Sequence, residues 1–314
     1  MPRIVISEFM DEAAIREGLA GFDVLYDPKL VDDPAALEAA AADADALIVR
    51  NRTQVRGALL NSATKLKCVG RLGVGLDNID VEACRARGIA VFPATGANDV
   101  SVAEYVVGAA ILLLRGAYAS TAEVAAGAWP RNALSNGREI SGKRLGLVGY
   151  GSIARETARR AAALGMSVAA HDPYLKPDDP AWRPDFGPVE PFALDDLVAT
   201  SDVLSLHVPL TDGTRGMIDA AAISRMKPGA ILINAARGGV VDEAAVAAAL
   251  KSGALGGAAL DVFDTEPLKG GAASVFAGCP NLVLTPHIAG VTAESNVRVS
   301  GVTAASVAKH LRSL

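Results

Sequence analysis

Short apolar runs alternate with helix-length amphipathic stretches along the whole chain. The first run, Arg3 to Ser7, is followed by "ADALIVR" (Ala44 to Arg50), "LKCVGRL" (Leu66 to Leu72) and "GIAVFPA" (Gly88 to Ala94), with helical patterns between them. Near-continuous apolar runs suit strands buried on both faces, and strands spaced by helices imply βαβ units in a parallel sheet. One long helix is expected in "SVAEYVVGAAILLLRGAYASTAEVAAG" (Ser101 to Gly127), with Ser101 and Glu104 in capping-box register at its start. Gly127 and Pro130 of "GAWPRN" break that pattern. From Lys143 the alternation resumes with "RLGLVG", "SVAAHD", "VLSLHVP", "AILINAA", "GGAALDVF" and "NLVLTPH", which predicts a second, larger doubly wound sheet.

The last helical stretch, from Thr292 to the C-terminus, has no strand after it. It predicts a discontinuous first domain, residues 1–98 with 289–314, into which residues 99–288 are inserted. The expected class is α/β, with two doubly wound parallel-sheet domains: a Rossmann domain inserted into a flavodoxin-like one.

Composition narrows the partners. At 314 residues the chain exceeds what one core supports, and 51% hydrophobic against 21% charged residues gives a globular protein. A net charge of -5, with Lys and Arg scattered singly, leaves no concentrated positive face for nucleic acid. Cys68, Cys84 and Cys279 are an odd number without CxxC spacing, which points to reduced thiols in a cytoplasmic protein and to no metal site. The N-terminus is unlike a secretory signal. The longest apolar stretch, Val102 to Leu114, contains Glu104 and falls short of the roughly 20 residues of a membrane span, so a soluble protein without a membrane partner is expected.

The candidate chemistry starts at "GYGSIA". A Gly-x-Gly alone is weak evidence, but here a strand precedes it and a helix, "SIARETARRAAALG", follows. Gly149 and Gly151 then make a tight turn that lets a pyrophosphate reach the helix N-terminus, and Ala154 keeps helix and strand close. Asp172 ends the next strand about 20 residues on, where a carboxylate accepts from the adenosine ribose hydroxyls and repels a 2'-phosphate. No arginine stands beside it, so NAD is expected rather than NADP.

Of the four histidines, His171 and His310 read as boundary or surface residues, and His207 reads equally well as core or as lining for a cofactor. His287, in "LVLTPHIAG", follows a strand at the carboxyl edge where such sheets bind ligands. "ILINAARGG" and "AALDVFDTEP" bring Arg237, Asp261 and Glu266 to the same edge. An arginine, a carboxylate and a histidine beside a nicotinamide are the parts that oxidation of a hydroxy acid requires.

"GRLGVGLDNID", "GYGSIA", "NAARGGVVDE", "DVFDTEP" and "TPHIAG", in that order, resemble the D-2-hydroxyacid dehydrogenase family, which includes D-3-phosphoglycerate dehydrogenase, over essentially the whole chain. The resemblance implies that Arg237 holds the substrate carboxylate and carbonyl, that Glu266 pairs with the imidazole, and that His287 is the acid/base. It implies cofactor contacts from Ser152, Ile153, Val208, Pro209, Ala235, Asp261 and Gly290 besides the residues above. It also implies a homodimer built on the long helix and the segment around Trp129. A chain ending at Leu314 is expected to lack the regulatory C-terminal domain of some phosphoglycerate dehydrogenases. The backbone amides of Val74 and Gly75 suit the substrate carboxylate, as glycine-rich turns suit anions.

For the far end of the substrate the chain offers Arg50 and Arg52, in "IVRNRTQV". Two guanidinium groups fit a strongly anionic tail; the other reading of Arg52 is a solvated surface charge. "ISEFMDEAA", "IVRNRTQV" and "GRLGVGLDNIDVEAC" are similar to the family's bacterial sulfolactate dehydrogenases, which oxidise 3-sulfolactate to 3-sulfopyruvate. There the hand called R in D-lactate is called S, because a sulfomethyl group outranks carboxylate. Oxidation of 3-phosphoglycerate or of another D-2-hydroxy acid, and a NAD-sensing binding role without turnover, are the competing expectations.

Overall fold

A computed structural model describes residues 1–314, which divide into two compact units, Met1–Asn98 with Val291–Leu314 and Asp99–Gly290. The first unit holds a parallel sheet of β1 (Arg3–Ile6), β2 (Asp23–Tyr26), β3 (Ala46–Val49), β4 (Cys68–Arg71) and β5 (Ala90–Pro93), in the order β2-β1-β3-β4-β5. β2 is not anticipated from the sequence; its apolar residues Val24, Leu25 and Tyr26 are only partly buried. The chain reverses direction across the sheet between β1 and β3, so the carboxyl ends of those two strands form its switch point.

Successive side chains on a strand point to opposite faces. Val5, Leu47, Val49 and Val69 therefore pack one face with Leu37, Leu59, Leu60 and Ile89, while Ile4, Ile6, Ile48 and Cys68 pack the other. The covering for that second face is the terminal helix, Ala293–Arg312, through Val299, Ala304, Val307, Ala308 and Leu311. Thr292 caps it, in a box completed by Ser295. Contact is close enough that a Cβ at Gly70 of β4 would stand 2.7 Å from both the Thr303 and the Val307 γ-methyls.

The second unit is a seven-stranded parallel sheet of β6 (Arg144–Val148), β7 (Ser167–His171), β8 (Glu190–Pro191), β9 (Val203–Leu206), β10 (Ala230–Asn234), β11 (Leu255–Leu260) and β12 (Leu282–Leu284). The order is β12-β11-β10-β9-β6-β7-β8, which puts its switch point between β6 and β9. The two-residue β8 is too short to show as a pattern in sequence. Leu145, Leu147, Ile231 and Ile233 face a core that includes Val102, Val106 and Leu113; Val148, Leu204, Leu206 and Leu232 face the other.

The single helix expected from Ser101 to Gly127 is corrected. Helix begins at Asp99, so Ser101 lies inside it and is not its N-cap, and it ends at Arg115. Gly116 follows in the left-handed region at φ 66°, and a 3-10 turn, Ala117–Ser120, leads into a short helix, Thr121–Ala125. The two pieces meet at 71°. Glycine supplies that conformation without a steric penalty, so apolar periodicity continues through the bend and hides it. No single helix is long and apolar enough to cross a membrane.

Overpacking in a close contact typically costs about 1–3 kcal/mol. Gly70→Ala is expected to destabilise the chain by that order, seen as a lower urea midpoint; an unchanged midpoint would show that the terminal helix gives way freely.

Candidate active site

The residues of Asp99–Gly290 expected to bind the cofactor or do the chemistry lie beyond the carboxyl ends of its strands, in the turns and loops that follow. Gly149, Gly151, Ser152 and Ile153 follow β6 and Asp172 follows β7; Val208 and Pro209 follow β9, while Ala235 and Arg237 follow β10. Asp261 and Glu266 come after β11, and His287 and Gly290 after β12. Parallel strands send all their loops of one kind to one edge, which is why motifs so far apart in sequence share it.

The turn after β6 has the features a dinucleotide needs. Gly149 sits at φ 88°, and a Cβ there would stand 2.5 Å from the His207 carbonyl oxygen, so only glycine lets the two switch-point strands close up. A Cβ on Gly151 meets nothing within 4 Å, which leaves open space over the Ser152–Ala163 helix. That helix has no side-chain cap at Gly151, so its first amides are left for an anion. Ser152 is a hydrogen-bond partner of Asp99, whose carboxyl burial holds above its ordinary range. Asp172 accepts from the backbone N–H of Tyr150 at 2.9 Å and of Tyr174 at 3.0 Å, one bond per oxygen, and keeps lone pairs for hydroxyl donors. The residues present fit NAD.

His287 and Glu266 stand together, His287 Nδ1 lying 2.7 Å from Glu266 Oε2. The other carboxylate oxygen accepts from the Phe263 N–H at 3.0 Å. Burial pushes the Glu266 carboxyl up, but the bonds from His287 and Phe263 and the Arg237 charge outweigh it and hold it below the ordinary value. With Nδ1 engaged, Nε2 is the ring atom left for a substrate proton. Arg237 leaves β10 through a turn shaped by the buried Asn234, which accepts from Ala236 N–H at 3.1 Å and donates to the Arg237 carbonyl at 2.9 Å.

His287 has φ 56°, a left-handed backbone rare for a residue with a Cβ. Asp261, only 1% exposed, holds it there. One oxygen accepts from Thr285 Oγ1 at 2.6 Å and Ile288 N at 2.8 Å, the other from Ala289 N at 2.8 Å, while the Asp261 carbonyl takes the His287 N–H at 2.8 Å. Tyr105 Oη, from the Asp99–Arg115 helix, meets Thr285 Oγ1 at 2.7 Å. Asp261 is thus engaged with the loop after β12. His207 lies beside Ser205 Oγ at 3.0 Å, and burial pushes its imidazole down to about 4, which keeps it neutral.

In the first unit, Val74 and Gly75 follow β4 in a partly buried loop, and Arg50 and Arg52 follow β3. The two arginines part company. Arg50 is half-buried, with Nη2 donating to Asn296 Oδ1 at 2.6 Å and its guanidinium 5.8 Å from the Phe9 ring centre. Arg52 is exposed and pairs with Asp32. Glu8, Asn78 and Asn296, which surround this loop, were not legible as site residues: each bonds to partners tens or hundreds of positions away.

Residues 107–289 match the NAD-binding domain of the D-isomer specific 2-hydroxyacid dehydrogenases. The chain is 55% identical over 312 residues to (S)-sulfolactate dehydrogenase of Chromohalobacter salexigens, covering 99% of each. It is 44% identical over 275 residues to D-3-phosphoglycerate dehydrogenase of Mycobacterium tuberculosis, 88% of this chain but 51% of that one, so it spans about half of that relative's length. The fold superposes on D-lactate dehydrogenase from Aquifex aeolicus, complexed with NAD and lactic acid, with TM-score 0.83 and 29% identity, over 99% of this chain and 96% of the other. The chain belongs to the D-isomer specific 2-hydroxyacid dehydrogenase family and is an NAD-dependent oxidoreductase acting on a small anionic 2-hydroxy acid.

Proposed function

We propose that the protein oxidises (S)-3-sulfolactate to 3-sulfopyruvate. The observation that carries this is the 55% identity with a sulfolactate dehydrogenase across 99% of both chains. Arg50 supports it: a half-buried guanidinium is suited to an oxyanion such as a sulfonate, which accepts two parallel N–H bonds. NAD, when bound, supplies the acceptor for the hydride that leaves C2. His287 Nε2 takes the hydroxyl proton as that bond breaks, and returns it in the reverse direction. Glu266 fixes the tautomer through Nδ1 and stabilises the charged ring. Arg237 holds the substrate carboxylate and the oxygen at C2, and the amides of Val74 and Gly75 share the carboxylate. Gly149, Gly151, Ser152 and Ile153 hold the cofactor's diphosphate and Asp172 its ribose; Val208, Pro209, Ala235, Asp261 and Gly290 line the rest of its path. Arg52 is left out of this reading, since Asp32 already takes its charge.

We also place the protein in the cytoplasm as a homodimer. All three cysteines are free. The bent segment after Arg115 exposes Tyr118, Val124 and Trp129, the last at 78%, which is apolar area for a second copy to cover.

NAD reduction with (S)-sulfolactate, D-3-phosphoglycerate, D-lactate and D-malate tests the substrate: sulfolactate should have the highest kcat/KM, and equal or better turnover of another acid would overturn the assignment. A 2'-phosphate set against the Asp172 carboxylate, without a cation to balance it, should lower kcat/KM for NADP on the order of 100-fold. Comparable efficiency with both cofactors would remove Asp172 from the ribose site. Glu266 is held below the ordinary carboxylate range, so its charge is present throughout the neutral range and is lost only as pH falls through that lowered value. It favours the imidazolium, whereas oxidation needs the neutral ring. Glu266→Gln should therefore move the acid limb of the oxidation profile to lower pH; an unmoved limb would break the pairing role.

A further inference from the structure

The loop after β3 has its backbone groups almost fully accounted for, and a single acidic side chain takes most of its donors. Glu8, which follows β1, is 4% exposed. Its Oε1 accepts from Arg50 N at 2.8 Å and Thr53 N at 2.9 Å, and its Oε2 from Arg52 N at 3.1 Å. On the acceptor side, Asn78 Nδ2 donates to the Arg50 carbonyl at 3.0 Å and to the Thr53 carbonyl at 2.7 Å. The loop is thereby gripped from both directions at the switch point of its sheet, the place where an open parallel sheet receives ligands.

A carboxylate kept from water with only backbone N–H partners is an expensive way to hold a loop, because removing the charge's solvation costs more than a neutral acceptor would. What it delivers is rigidity where Arg50 begins. The Arg50 backbone is tied to Glu8, one edge of its guanidinium is tied to Asn296 on the terminal helix, and its face lies over Phe9. One edge and one face of the guanidinium are thus assigned by the fold, and the remaining N–H groups have a set direction. The Glu8 charge also acts on Arg50, opposing the effect of burial on it.

We propose that Glu8 is a positioning residue for substrate selection: by fixing the β3 loop it aims Arg50 as the one guanidinium that reads the distal oxyanion of the substrate. The inference rests on the reading that the substrate carries such a tail. Arg52 shares the loop but not the role, since its backbone helps to close the grip while its side chain faces Asp32. Glu8 itself touches no substrate.

The test is the ratio of kcat/KM for sulfolactate over D-lactate, in the wild type, Glu8→Gln, Glu8→Asp and Asn296→Ala. Glutamine offers one acceptor oxygen where the loop presents three donors, and turns an NH2 toward the rest. Misaligning one charge-assisted contact should lower the ratio roughly tenfold, with the loss in KM for the tailed acid. Aspartate keeps the charge and should restore part of the ratio, whereas Asn296→Ala, which leaves the loop backbone alone, should repeat the selective loss. NAD affinity, read by fluorescence titration, should be the same in all four. Equal losses with both acids, or a ratio that Glu8→Gln and Asn296→Ala leave intact, would make Glu8 a loop brace only and overturn the inference. If Glu8→Gln does not fold, Glu8→Asp and Asn296→Ala carry the same comparison. A wild type that discriminates while the variants keep its ratio sinks this inference and spares the proposed substrate; a wild type that does not favour a tailed acid sinks both.

Discussion

Three hydrogen bonds converge on the buried Asp261 carboxylate, and with the Asp261 carbonyl they leave the loop from Thr285 to Ala289 a single conformation. The consequence is the left-handed backbone at His287, which a histidine would not adopt unassisted and which costs of order 1–3 kcal/mol at a residue with a Cβ. That strain is repaid by orientation, because Nδ1 then falls 2.7 Å from Glu266 and Nε2 is left available. Much of the site follows from this anchor. Glu266 is itself set by the Phe263 N–H, two residues beyond Asp261, so both halves of the pair derive their place from the end of β11.

The two sheets solve one topological problem with opposite chemistry. Each has a switch point where two loops diverge and backbone donors gather. In the second unit those donors belong to a helix start without a cap, and the site stays open to an anion from outside. In the first, the protein supplies the anion itself: Glu8 fills the equivalent role toward the loop amides, and the positive charge is carried outward on Arg50. One switch point is therefore a receptor for negative charge through its backbone and the other through a side chain.

Most of the architecture was readable because parallel strands buried on both faces are apolar at nearly every position, as in "ALIV" and "AILIN". The glycine turn, the strand-end aspartate and the Glu266 and His287 motifs were readable because each is local: its meaning lies within a few residues of one strand end. What escaped notice was long-range or too short. The two-residue strand Glu190–Pro191 is too short to show a period, Asp23–Tyr26 is an edge strand that is only partly buried, and Gly116 turns the chain without interrupting the apolar pattern. Arg50 and Arg52 look alike in "VRNRT", and only the partners, Asn296 for one and Asp32 for the other, tell them apart. Glu8 reads as an unremarkable acid after a strand, since nothing within the sequence neighbourhood reveals that its three donors come from more than forty residues away.

The terminal helix has an implication for biosynthesis. It closes one face of the first sheet, and its Ser300 side chain accepts from the Asp11 backbone, 289 positions earlier. On a ribosome the strands from β1 to β5 emerge first, yet the apolar face formed by Ile4, Ile6 and Ile48 is only partly covered, by Met10, Ile15 and Leu19, until the whole inserted unit has been synthesised. Domains that emerge whole can fold as they appear, whereas one with its cover encoded last must wait with a sticky surface. The inserted unit can therefore complete its core before the N-terminal unit, whose last helix is made after it.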